Sequence, residues 1–473
     1  MEVLSLGLLF ELFNIDNNYV LYNPIVNKFF TITYEAYQHL SNIKNKDSNF
    51  YSEKTDLYSV KLIKDLSLDK SFSQAIYMDT KQQLEYKLNH HQRQLVLEMT
   101  KACNFRCKYC ILSDIYQNND QYLGGEMSID TMKKSIDFFL KRTSDVDSIT
   151  VSFYGGEPLL RFDAIKHCVD YAKKHALGKN LSFSMTTNGS VLTEEIIDFL
   201  ADNDFKILIS LDGPEEIHDM NRIFQNGKKT YSLIDKNINY IRNNYPDFFK
   251  KNIQFHAVIA FPQFTNEVIG FFRENYSNNF GYAYVEPGFD NEKFKNKYQI
   301  NMEYSKKYSL VNHINETKKK MIEDIEFEDN ITYLFDGEIA RVFKLKPREQ
   351  NDSFWPGGTC DIGSRRIFVD VNGNIFPCEK ISYSNGENCI GHIEKGFDVP
   401  KICQTISEYE KTCVSCQTCW CAHLCRRCWK NKCIDEGFCN DMKNSVYKQI
   451  EDSLTLFFNN PSVVKRYDKV ELK

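Results

Sequence analysis

Apolar and polar positions recur with two periods in the middle of the chain. Short runs rich in β-branched and aromatic residues predict strands at Leu95–Thr100, Ser148–Gly155, Leu181–Gly189, Lys206–Gly213, Ile253–Ala260 and Gly281–Gly288. Between them, apolar stripes at helical spacing predict helices at Ile129–Leu140, Asp163–His175, Thr193–Leu200, Tyr231–Ile241 and Asn266–Phe272. Such alternation predicts βαβ units and a parallel sheet, whose chemistry would lie at the carboxyl ends of the strands. Ahead of this block, Leu6–Phe13 and Tyr19–Tyr22 read as a strand pair joined at Asp16-Asn17-Asn18. A helix starts at Tyr34–Leu40 and a polar stretch follows at Ser41–Ser52. Beyond the block, Met302–Ile325 reads as a solvated, Lys-rich helix.

Composition narrows the class. The 473 residues exceed one core, and 42% hydrophobic with 26% charged residues is ordinary for a globular protein. A net charge of −5 gives no argument for nucleic acid or for an anionic membrane. No apolar run approaches the roughly 20 residues of a membrane span. Met1–Phe10 is apolar but carries Glu2 where an export signal would carry a cation, so it reads as a strand. Sixteen cysteines without an export signal point to a reducing, cytoplasmic setting and to metal rather than disulfides. Three lie at 103–110, one at 168 and twelve between Cys360 and Cys439. Cys168 fits the apolar stripe of its helix and reads as a core thiol.

The first cluster, Cys103-x3-Cys107-x2-Cys110 with Tyr109 before the last cysteine, offers three thiolates to a cubane that takes four ligands. One iron is left open to a small molecule. The spacing also admits half a zinc site. The motif resembles the signature of the radical S-adenosylmethionine (radical SAM) enzymes. That resemblance implies a partial (β/α)6 TIM-like barrel. It also implies SAM bound at the open iron and cleaved by the reduced 4Fe–4S cluster to a 5′-deoxyadenosyl radical. Four further stretches resemble the family's SAM site. Tyr154-Gly155-Gly156-Glu157-Pro158 resembles its GGE motif, in which Glu157 would meet the amino group. Thr187, Asn188, Ser210 and Asp212 would face the ribose at the barrel mouth. Arg222 would offer a planar fork to the carboxylate.

The second cluster is framed by Cys360, twelve residues, Gly373, four residues and Cys378. Here Arg366–Val371 and Asn374–Pro377 read as a hairpin turning at Asn372-Gly373. Cys416-x2-Cys419-x5-Cys425 and a late Cys439 follow. The whole resembles a SPASM domain, which implies two auxiliary 4Fe–4S clusters and three in all. The far one would use Cys416, Cys419, Cys425 and Cys439, and the near one Cys360, Cys378 and Cys428. The spacing between Cys425 and Cys428 departs from the family's. Extra thiols at 413, 421 and 433 leave open a register of 413, 416, 421 and 425, and the pairs 413/416 and 425/428 also have zinc-knuckle spacing.

This gives residues 1–90 as an N-terminal winged-helix-like domain, 91–300 as the barrel and 301–350 as a bridge, then 351–450 as the SPASM domain and 451–473 as a tail. The N-terminal domain resembles those that take a leader peptide as an added strand. The expected activity is thioether formation in a ribosomally made, cysteine-containing precursor peptide, with a flavodoxin or ferredoxin as electron donor. Alternatives are carbon–carbon or carbon–oxygen cross-linking, epimerisation, anaerobic sulfatase maturation, or an iron–sulfur or zinc protein without turnover.

Overall fold

The computed structural model describes residues 8–45, 57–66, 68, 72, 74–75, 79–110, 124–176, 178–260, 264–276, 280–284, 341–345, 353–355, 360–381, 386–429 and 436–459. Two compact units divide the chain: 1–78 with 318–360 and 404–473, and 79–317 with 361–403. The predicted helix at Met302–Ile325, the end of the strand at 285–288 and Cys433 lie outside the described residues.

In the first unit β1 (Glu11–Ile15), β2 (Asn18–Asn23) and β3 (Lys28–Ile32) form an antiparallel sheet in that order. Ile15 pairs with Asn18 across Asp16 and Asn17, whose φ of 50° and 67° mark the mirror-image turn that suits a two-residue hairpin. Helices α1 (Tyr34–Asn45) and α2 (Leu57–Asp65) follow, then the short β4 (Gln74–Ala75). Strand alternation sends Phe13, Ile15, Val20 and Tyr22 to one core and Leu12 and Leu21 to another with Leu40 and Ile63. Two expectations change here. Among the described residues regular pairing starts at Glu11, with Leu6 and Gly7 outside them, and β3 is a third strand that the pattern did not reveal. β2 is therefore the central strand, with both edges paired.

The second unit opens with α3 (Lys81–His90), capped by Thr80 and Gln83. Six strands follow: β5 (Gln94–Thr100), β6 (Ser148–Gly155), β7 (Asn180–Thr187), β8 (Lys206–Ser210), β9 (Ile253–Ile259) and β10 (Phe280–Tyr284). They lie side by side in chain order, each parallel to the next. Right-handed crossovers that always step the same way put the helices on one face. Those helices are α4 (Ile129–Leu140), α5 (Phe162–His175), α6 (Glu194–Asp202), α7 (Glu215–Asn221), α8 (Tyr231–Asn244), α9 (Pro246–Asn252) and α10 (Thr265–Tyr276). Residues Leu95, Leu97, Val151, Phe183, Ile207 and Phe255 are fully buried. Their alternates Gln94, Ser152, Ser184, Lys206 and Gln254 make the other face polar. The result is an α/β fold with a mostly parallel sheet. Cys168 is buried in α5 against Met132 Sδ, 3.0 Å away.

In the first unit β11 (Ser353–Phe354) pairs with β4. In the second, β12 (Arg366–Val369) adds to the sheet beside β5, parallel to it, and β13 (Asn374–Phe376), β14 (Gly391–His392) and β15 (Gly396–Phe397) continue antiparallel. The turn between β12 and β13 is not the expected two-residue Asn-Gly turn. Gly373 N donates to Asp370 O at 3.0 Å, and of the pair only Gly373 has positive φ, 87°. Asp370 Oδ1 accepts from Asn372 N and Asn374 N, both at 2.9 Å. This is a three-residue loop closed by a left-handed glycine. Helix α11 (Val399–Thr412) leads into the cysteine-rich segment, and α12 (Glu436–Asn459) stacks Tyr447 on Phe13 of β1 at 4.7 Å.

Candidate active site

Three loops at the carboxyl ends of the parallel strands lock together around the first cysteines. The segment after β5 pairs with the segment after α7: Arg106 N donates to Ile223 O (2.8 Å), Lys108 N to Asn221 O (3.0 Å) and Gln225 N to Asn104 O (3.1 Å). Phe105 and Phe224 pack edge to face beside these bonds, 5.0 Å between centroids. Cys103, Cys107 and Cys110 are thus held, half-buried, on a loop with few free torsions.

The turn after β6 grips the same loop from below. Gly156 N donates to Thr100 O (2.8 Å) and Glu157 N to Ala102 O (2.9 Å). A Cβ on Gly155 would stand 2.3 Å from Thr100 O, and one on Gly156 2.1 Å from Ala102 O. Gly155 also has a φ of 129°. The sequence motif predicts glycines that admit a ligand; here they admit the backbone of the cysteine loop.

Glu157 is wholly buried and already hydrogen-bonded within the chain. Its Oε1 accepts from Leu159 N (3.1 Å) and Thr187 Oγ1 (2.8 Å), and its Oε2 from Asn188 N (2.7 Å). Burial pushes its carboxyl up to about 7 despite those bonds. In this structure it latches β6 to β7. Asn188 extends the latch to the cysteines, with Nδ2 2.8 Å from Asn104 Oδ1 and 3.9 Å from Cys103 Sγ. Ser190 braces both asparagines: its N–H and hydroxyl donate to Asn188 Oδ1, and its Oγ accepts from Asn104 Nδ2.

On the other side Arg222 and Asp212 form a buried ion pair, Nε to Oδ1 at 3.0 Å. Tyr109 donates its hydroxyl to Asp212 Oδ2, and its ring lies 5.4 Å from the guanidinium. Val258 N donates to Asp212 Oδ1 at 2.9 Å. His218, fully buried, accepts from Asp212 N at Nδ1 (3.2 Å), so Nε2 carries the proton toward Thr230 Oγ1 (3.0 Å). Thr230 in turn donates to Arg222 O (2.6 Å). Neither His218 nor Thr230 was a candidate from sequence, since nothing in their spacing marks a relay closed across twelve residues. Ser210 ends β8 half-buried, in register with His256. The structure thus gathers Cys103, Glu157, Thr187 and Asn188 in one network, and Tyr109, Asp212 and Arg222 in another. Arg222 also acts on Cys107, drawing its thiol down against a larger upward push from burial.

Over the polar face of the sheet lies a half-open cavity of about 210 Å³, lined in part by Gln94, Ser152, Tyr154, Ser184, Lys206 and Gln254. A hydrogen-bond ladder crosses it: Gln94 Nε2 to Ser152 Oγ at 2.8 Å, then Ser152 Oγ to Ser184 Oγ at 2.7 Å. Arg366 and Glu379 pair at its wall, 2.7 Å apart. Tyr154 feels the charges of Glu379, Cys110 and Cys378 together. The signal for this lumen was Ser152 and Ser184 alternating with large apolar residues.

The first unit holds a second gathering of thiols. Burial first, and the neighbouring Cys416 and Cys419 after it, push the Cys425 and Cys439 thiols up. Cys419 and Cys421 are 3.5 Å apart. Cys413 and then Arg427 pull Cys416 down to about 6 against its burial, while Cys413 is itself pushed up. Of the proposed near set, Cys360 and Cys428 belong to the first unit and Cys378 to the second. Cys389 and Cys403, which carried no role, are half-buried in the second unit.

Among the described residues no three Cys, His, Asp or Glu side chains converge tightly enough to hold a single ion. A cubane gives each thiolate its own iron and asks for a wider spread. The first loop offers the soft donors that such a cluster takes, three thiols on one short segment, of which burial pushes Cys103 up to about 12.

A parallel α/β sheet with three thiols on the loop after its first strand defines the class. A family model described as the radical SAM superfamily matches residues 97–259, from within β5 to the end of β9. The chain is 26% identical over 384 residues to the cysteine-type anaerobic sulfatase-maturating enzyme of Clostridium novyi (strain NT), spanning 75% of this chain and 94% of that one. It is 23% identical over 414 residues to the radical SAM cyclopropyl synthase TigE of Paramaledivibacter caminithermalis, spanning 80% and 76%. The solved structure of native anSMEcpe with bound AdoMet and Kp18Cys peptide shares the fold, with a TM-score of 0.59, 18% identity and coverage of 78% and 99%. Residues 97–259 are a radical SAM domain, which implies SAM and a 4Fe–4S cluster. Among the described residues no helix is long and apolar enough to cross a membrane.

Proposed function

We propose that this chain is a peptide-modifying radical SAM enzyme that installs a thioether in a cysteine-containing, ribosomally made peptide. When bound, SAM and a reduced cluster supply a 5′-deoxyadenosyl radical that removes a hydrogen atom from the substrate. Cys103, Cys107 and Cys110 would ligate that cluster. The buried Arg222, aimed by Asp212, would meet a carboxylate, and Asn188, Ser210 and Asp212 would contact hydroxyls. Tyr109 would pack beside them. Glu157, Gly155 and Gly156 would act mainly by fixing the cysteine loop, given the bonds they already make.

The observation that carries the reading is the second thiol gathering, Cys416, Cys419, Cys425 and Cys439, far in sequence from the first. An auxiliary cluster there would accept the surplus electron. The polar lumen at Tyr154 suits a peptide backbone, which brings both donors and acceptors.

The leader peptide would pair with the N-terminal sheet. β2 is central, so the Tyr19–Tyr22 edge offers no free pairing, and β1 is largely buried. β3 is the exposed edge, with Lys28 and Thr31 exposed and Phe29, Phe30 and Ile32 half-buried. Anaerobic sulfatase maturation is the second reading, favoured by the extent of the match to the Clostridium novyi enzyme. Mass spectrometry of a co-expressed precursor peptide separates the two. A thioether removes two hydrogen atoms and one alkylatable thiol while both residues remain. Conversion of a cysteine to an aldehyde loses its sulfur and would reject the first reading.

A further inference from the structure

Arg427 is a buried cation among the thiols of the first unit, at 2% exposure. Its Nη1 lies 3.4 Å from Thr412 O and 3.6 Å from Cys413 Sγ, and its Nη2 donates to Thr412 Oγ1. The guanidinium sits 4.5 Å from the centroid of Tyr409, so four groups fix its position. Cys416 N donates to Cys413 O at 3.0 Å, so the thiol that Arg427 touches lies one short turn from Cys416. In sequence it stands between Cys425 and Cys428. A thiolate-ligated cubane carries negative charge, on which a guanidinium fixed beside the ligand loop acts directly.

We propose that Arg427 is the charge-compensating residue of a cluster held by Cys416, Cys419, Cys425 and Cys439. Its fixed positive charge favours the reduced state, which is one unit more negative, and so raises that cluster's reduction potential. The inference rests on the reading that these four cysteines hold a cluster, and it assigns Arg427 to positioning charge rather than to ligation.

The test uses the full chain, reconstituted anaerobically with iron and sulfide and titrated by electron paramagnetic resonance. The signal of this cluster is the one lost in Cys416→Ala. Arg427→Gln should keep parental iron and lower the potential by at least a tenfold change in the reduction equilibrium, about 59 mV for one electron. Arg427→Lys keeps the charge and should recover most of the shift, which a purely structural role would not predict. Thr412→Val removes the hydroxyl that aims the guanidinium and should shift the potential the same way by less. A loaded Arg427→Gln chain that titrates at the parental potential overturns the proposal. If that variant fails to load, an unmoved potential in Thr412→Val overturns it instead. If Cys416→Ala loses neither iron nor sulfide, the four-cysteine reading falls and the inference falls with it.

Discussion

Gly156→Ala should damage this protein more than its size suggests. The added Cβ would sit 2.1 Å from Ala102 O and 2.8 Å from Lys101 O, where ordinary contact begins near 3.4 Å, so backbone must give by roughly 1 Å. Neither neighbour is a flexible side-chain tip. The bonds from Gly156 N to Thr100 O and from Glu157 N to Ala102 O would lengthen together. Two weakened backbone bonds and an overpacked contact cost about 3 kcal/mol in all. The displaced segment ends at Cys103, and a shift of about 1 Å at a reacting centre is worth about 100-fold in rate. Denaturant melts should therefore show the stability loss, and reconstituted protein should bind less iron and cleave SAM far more slowly. Gly270→Ala is the control. It lies in α10, where a new Cβ would meet nothing within 4 Å, and should stabilise by about 0.5–1 kcal/mol. Parental stability and iron content in Gly156→Ala would refute the argument that these glycines exist for the cysteine loop.

Other outcomes follow from the same contacts. Burial holds His218 down at about 4, with Asp212 and Asp219 pulling up and Arg222 pushing further down, so it is neutral in the fold. Its folded value lies below the unfolded 6.5, so its contribution is complete above pH 6.5 and is lost as pH falls toward 4, about 3 kcal/mol across that window. His218→Gln should flatten that part of the stability curve; an identical slope would discard the assignment. Asp212→Asn leaves Arg222 buried without its counter-charge and should cost about 3–5 kcal/mol, while Asp212→Asn with Arg222→Met should recover part of it. Arg222→Lys should raise the SAM concentration needed for half-maximal cleavage with iron unchanged. Proline at Thr31, on the exposed edge, should weaken leader-peptide binding measured by fluorescence anisotropy. Equal affinity would move the docking edge elsewhere.

How much of this was legible in sequence depends on the range of the interactions. The strand Ser148–Gly155 and the helix Ile129–Leu140 match their predicted limits because period and capping are local signals, as with Ser128 Oγ accepting from Thr131 N. β3 escaped because Lys28–Ile32 is short and follows a second turn at Pro24–Asn27 with no strict alternation. The pairing of β12 with β5 joins residues about 270 apart, which no local pattern encodes. Within the site, the family resemblance singled out the three cysteines, Glu157, Asp212 and Arg222 as candidates. It could not tell that Glu157 is tied to Thr187 and Asn188, because those bonds exist only once β6 and β7 are side by side.

The most direct measurement is of 5′-deoxyadenosine released from SAM by the anaerobically reconstituted, reduced chain, beside a variant with Cys103, Cys107 and Cys110 all changed to Ala. The parent should release it, and the variant should release none while losing about four irons, one cubane's worth. A fully loaded and reduced parent that leaves SAM intact, or a triple variant that cleaves it at the parental rate, would contradict the account.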